Sequence, residues 1–164
     1  MGLDVLVYQV ANAGGILSSA TYDGGFGNDD FAFAVASDSL GGIWITGGIM
    51  TLGSIDQGGS GKLGLWKYTP GSLQLKASYF NPSLNETTAF DVGTSLAIDA
   101  SNFIWVVGLS SNPASVGTFA AAKLDLALWR YHFDGTLATG YPAARCVRWS
   151  SRPTSRVIGP CSPA

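Results

Sequence analysis

The side chains able to do chemistry are few, and most sit in glycine-rich segments. Asp23, Asn28, Asp29 and Asp30 crowd around Gly24, Gly25 and Gly27. Carboxylate and amide oxygens at this density suit a hard cation, which makes calcium the candidate ion. The spacing does not follow an EF-hand loop, and an ordinary turn accounts for the same residues. The only histidine, His132, precedes Asp134 and Gly135, with no other histidine in the chain to pair with. It reads as a turn residue rather than a general base. The stretch GGSGK at 58–62 fails as a phosphate loop, because Asp56 stands where glycine is needed and Leu63 follows the lysine. Ser60 fails as an elbow nucleophile, since Lys62 replaces the required glycine. Gly25 and Gly27 run into Asp30, not into a third glycine, so there is no dinucleotide fingerprint. Asn85-Glu86-Thr87 is a glycosylation triplet, a pattern that also arises by chance. Glu86 is the only glutamate and the aspartates fall mostly in turns, so no carboxylate pair is set up for glycoside cleavage. No catalytic and no cofactor-binding residue is assigned.

The elements that would position these groups are set by an internal repeat. ASDSLGGIWITG at 36–47 returns, without a gap, as AIDASNFIWVVG at 97–108, an offset of 61. The shared positions are Asp38, Gly41, Trp44 and Gly47 in one copy and Asp99, Asn102, Trp105 and Gly108 in the other. Aspartate can hydrogen-bond backbone groups two residues on, and glycine or asparagine tolerates the left-handed conformation such turns require. Each copy therefore reads as strand, tight turn, strand. LWKY at 65–68 matches LWRY at 128–131, which makes Trp66 and Trp129 equivalent, and LDVLVYQV at 3–10 matches LDLALWRY at 124–131. Each of these runs leads into a glycine turn, a leucine (Leu17, Leu73, Leu137) and a tyrosine (Tyr22, Tyr79, Tyr141).

Four short strands in about 60 residues, joined as a meander, predict an all-β chain of four-stranded antiparallel β-propeller blades. The count is about two and a half blades: a half blade at 3–22, a blade at 31–80 and a blade at 90–141. Stacked blades are covered on both faces, which accounts for continuous apolar runs such as IWITGGI and FIWVVGL. The repeated tryptophans are expected in the core between blades. A ring needs about four to eight blades, so the expectation is a fragment, or an incomplete propeller completed by other copies or by flanking blades. The strand at 3–10 should then lack its inner neighbour and present an open edge. Residues 143–164 break with this composition. They hold four arginines and three prolines, and are expected to form a disordered tail outside the 1–142 body.

The stretch TYDGGFGNDDFAFAVASDSLGGIWITG at 21–47 resembles the bacterial SBBP β-propeller repeat. DLALWRYHFDGTL at 125–137 and LGLWKYTPGSL at 63–73 are similar to the strand and turn of SBBP and delta-60 repeats. The second copy departs from the pattern, with NPSLNETTAFD at 81–91 in place of the glycine-rich segment. The resemblance implies a large secreted or surface protein, hence an extracellular or cell-surface location. The family has no shared catalytic residues, so no site is carried over.

Composition bounds the rest. The chain is 46% hydrophobic and 12% charged, against about 25% charged in ordinary soluble domains. It contains no apolar run long enough to span a membrane. MGLDVLVYQV lacks the basic start of a signal peptide. Residues 1–142 carry five basic and eleven acidic side chains, so the body is not expected to bind nucleic acid. Cys146 and Cys161 both lie in the tail and show no metal spacing. The leading expectation is a non-catalytic binding or scaffolding surface for a protein or glycan. The alternatives are a structural protein that self-assembles through open blade edges, and a fragment of a propeller lyase or glycosidase.

Overall fold

The structure, a computed structural model, describes residues 2–25, 27–53, 59–80, 89–111 and 124–138, together with the backbone of two short later strands. The described residues contain no helix, and in particular none long and apolar enough to cross a membrane. Strands β1 (Val5–Val10) and β2 (Ile16–Tyr22) form the first sheet. The second sheet runs β3 (Asp30–Ser37), β4 (Ile43–Leu52), β5 (Ser60–Thr69), β6 (Ser72–Tyr79), in that order. The third places β7 (Asp91–Ile98), β8 (Ile104–Ser111) and β9 (Leu124–Tyr131) side by side. Every pairing within these sheets is antiparallel.

The second and third sheets share one register. Ala36 faces Trp44 as Ala97 faces Trp105, and Ile45 faces Trp66 as Val106 faces Trp129. Each first strand also carries an irregularity at the same place, between Ala32 and Ala34 and between Gly93 and Ser95. The partners there are Gly47 and Gly108. A Cβ on Gly47 would lie 1.9 Å from the Phe31 carbonyl oxygen, and one on Gly108 would lie 1.8 Å from that of Val92. The bulge pushes a carbonyl into the space a side chain would need, which is why the motif ends in glycine.

Two apolar layers hold the three sheets together. Val5 and Ala20 of the first sheet pack on Ile45, Trp66, Tyr68 and Leu73 of the second. Trp44, Leu63 and Leu65 of the second pack on Ile104, Val106, Trp129 and Tyr131 of the third. Alternate residues of β5 thus serve opposite neighbours, and β5 is buried on both faces. An aromatic contact also repeats: Tyr22 meets the edge of Trp66 with ring centroids 5.4 Å apart, and Tyr79 meets Trp129 at 5.5 Å.

The expected tenth strand is described only at its start, where Leu137 bridges to Tyr131 and Ala138 N–H donates to the Arg130 carbonyl. Within the tail, β10 (Arg145–Val147) pairs with β11 (Ile158–Pro160) and meets β9 at Leu126. Strand pairing uses backbone groups, which composition does not report, so the tail reading missed both short strands. The rest of 139–164 lies outside the described residues.

Candidate functional site

The repeated aspartates are used structurally. Asp38 Oδ1 accepts from the backbone N–H groups of Leu40 (2.9 Å) and Gly42 (2.7 Å), and its Oδ2 accepts from the Trp44 indole at 3.1 Å. Asp99 does the same toward Ser101 (2.8 Å), Phe103 (3.0 Å) and the Trp105 indole (2.8 Å). One carboxylate therefore shapes the turn and fixes the tryptophan. Gly41 and Asn102 take the left-handed position, at φ 81° and 60°. Burial pushes the Asp38 carboxyl up, but the donors from Gly42, Trp44 and Leu40, with Lys67 nearby, bring it below the usual carboxylate range. The Trp105 indole and the Phe103 N–H hold Asp99 below that range as well. Asp134 repeats the turn on a smaller scale, accepting from both N–H and hydroxyl of Thr136. His132 is exposed and lies against Phe103, in keeping with a turn residue.

The two tryptophans at the shared position are not buried alike. Trp44 is fully buried, whereas Trp105 is half-buried. Sequence equivalence suggests equal burial, but Phe133, in the turn after β9, covers Trp44, at 5.4 Å between centroids. Trp105 lies on the outer face of the third sheet, where no further four-stranded sheet follows among the described residues. Trp66 and Trp129 are both fully buried.

Of the four proposed cation ligands, the structure brings two together and adds a third that the sequence did not single out. Carboxylate oxygens of Asp4, Asp23 and Asp30 lie within 4.8 Å of one another. Asp29 turns elsewhere and accepts from Leu3 N–H at 3.0 Å. Asn28 brings its backbone against Gly2. Asp4 lies nineteen residues before Asp23; the β1–β2 register, with Val5 opposite Tyr22, sets it beside Asp23, and the bonds from Asp30 N–H to the Leu3 carbonyl and from Leu3 N–H to Asp29 bring Asp30 alongside. Gly24 N–H donates to Asp30, and Gly25 N–H donates to Asp23. Burial raises the Asp30 carboxyl and the carboxylates of Asp23, Asp4 and Asp29 raise it further, against the Gly24 hydrogen bond. Oxygen ligands so placed could hold a hard cation such as calcium. The next interface is arranged differently: Lys62 occupies the position of Asp4 in the matching run, and Asp91 that of Asp30. Burial and Asp91 together push the Tyr79 phenol up to about 12.

A groove of about 870 Å³ runs between β1 and the face of β3 and β4. Leu6, Tyr8, Phe33, Val35, Ile43 and Tyr68 are among its lining residues, and none of the lining side chains is charged. Among the described residues β1 pairs with β2 alone, so its other edge borders the groove. The Tyr68 hydroxyl is buried without a hydrogen-bond partner. Sequence reading foresaw the open edge but not the groove, since its floor comes from β3 and β4. The triplet at 85–87, residue Asp56 and the cysteine side chains lie outside the described residues.

No family model matches this chain, and no curated protein does.

Proposed function

We propose that the three sheets are blades of an incomplete β-propeller of the SBBP or delta-60 kind, and that the chain is a non-catalytic extracellular binding or scaffolding module. The supporting observation is the uncharged groove along the free edge of β1. In the second sheet the counterpart of β1 is β5, and β5 pairs with β4 on the side where β1 has no partner among the described residues. The groove is the matching seat beside β1. An extended apolar segment fits it: the strand edge supplies backbone hydrogen bonds, and Val35 and Ile43 supply an apolar floor. Its neutral lining disfavours charged ligands, because a buried charge without a partner is costly.

A labelled peptide with the β4 sequence, flanked by lysines for solubility, tests this by fluorescence anisotropy. Saturable binding is expected, with at least a tenfold loss (roughly 1.4 kcal/mol) on Val35→Asp, whose side chain is 66% exposed and outside the core. Absence of binding to the folded wild type would overturn the reading. The second reading, self-assembly, is favoured by the apolar faces left at the two ends of the stack.

A further inference from the structure

The two ends of the stack expose the two halves of a contact that the chain makes in full between its second and third sheets and in part between its first and second. Between the second and third sheets, Trp44, Leu63 and Leu65 meet Trp129 and Tyr131. On the third sheet the counterparts of the first set are Trp105, Leu126 and Leu128. Leu126 is 48% exposed, where Leu63 is fully buried. On the first sheet the counterparts of Trp129 and Tyr131 are Tyr8 and Val10. These are 52% and 55% exposed, against 0% and 2%. Phe103 lies over Arg130, with 3.4 Å from the guanidinium carbon to the ring centroid, yet Trp105 and Leu128 stay half-buried beside it.

We propose that the outer face of the third sheet docks on the first sheet of a second copy of this chain, head to tail, repeating the contact between the second and third sheets. This rests on the reading of the sheets as stacked blades. The internal interface specifies the occupant, because the two bare faces are the same repeat positions that bury each other inside the molecule. Neither Leu6, Tyr8 nor Val10 is charged, so the first sheet asks for an apolar partner, and Leu126 and Leu128 provide one. Edge-to-edge pairing of two β1 strands does not satisfy the geometry. An antiparallel pair about a twofold axis turns both Val5 faces to one side. The partner's second sheet would then fall where Val35 and Ile43 already floor the groove. Because the contacting faces differ, the association is heterologous and adds copies in one direction until it closes or runs on.

Light scattering of the full chain over a range of concentrations tests the proposal. Masses at multiples of 17.0 kDa are expected for the wild type. Tyr8→Asp and Leu126→Asp should each give single chains, since each spoils one face. Mixed in equal amounts they should form a two-chain species and nothing larger, because each variant retains the face the other lacks. Circular dichroism checks that both keep their strands, and Leu6→Lys and Leu128→Lys stand in for either that does not. A single-chain wild type, a variant that assembles like the wild type, or a mixture that stays single would each overturn it. A single-chain wild type that still takes up the β4 peptide fails this proposal and leaves the groove reading intact.

Discussion

Asp38 and Asp99 make the same three hydrogen bonds, yet their replacement should not cost the same. Asparagine keeps one oxygen for the turn N–H groups but presents an amide to the indole N–H. At Asp38→Asn the Trp44 N–H is left buried without an acceptor, which costs about 1–3 kcal/mol. At Asp99→Asn the half-buried Trp105 can turn to water, and the loss in urea unfolding should be smaller. The pH dependence follows from the direction of the shift. The folded Asp38 carboxyl lies below its ordinary value, so it adds stability that is present above about pH 4, the unfolded range, and is lost as pH falls through the folded value. Asp38→Asn should therefore flatten the acid side of the stability profile, and an unchanged profile would refute the assignment.

At the scale of the strand pair, the bulge and its facing glycine form one device. Gly47→Ala and Gly108→Ala each place a methyl group against a backbone carbonyl that the ladder holds in position. Both should destabilise, by about 1–3 kcal/mol or more. Near-equal losses in thermal melts are expected from the shared register. A tolerated alanine at either position would mean that the bulge relaxes freely. The glycine at the end of each motif was legible in the sequence as a repeat position. Its reason was not, because the bulge at Phe33 and Thr94 is a property of pairing with the opposite strand.

For the molecule as a whole, stability depends on each sheet having a neighbour, so equivalent residues differ by their place in the stack. Trp44→Ala opens a cavity between two sheets and should cost about 3–5 kcal/mol in equilibrium unfolding. Trp105→Ala at the outer face should cost clearly less in dilute solution, and the gap should narrow at concentrations where copies associate. Equal losses at low concentration would mean that the outer face is already covered.

The sequence by itself determined strands β1 to β9, their turns and their order, because these depend on local chemistry: aspartate bonding two residues ahead, left-handed glycine or asparagine, and apolar runs of fixed spacing. It also determined that the tryptophan positions repeat, and it pointed to the edge of β1 that has no partner among the described residues. The tertiary structure alone decided which repeated side chains are buried. Trp44 and Trp105 hold the same repeat position in sequence and have different neighbours in space. Tertiary contact also drew Asp30 to Asp4 and Asp23, opened the groove beside β1, and left Leu126 exposed where Leu63 is buried. Each of these depends on what packs across from a strand, and a repeat pattern specifies the strand without specifying whether anything lies beyond it.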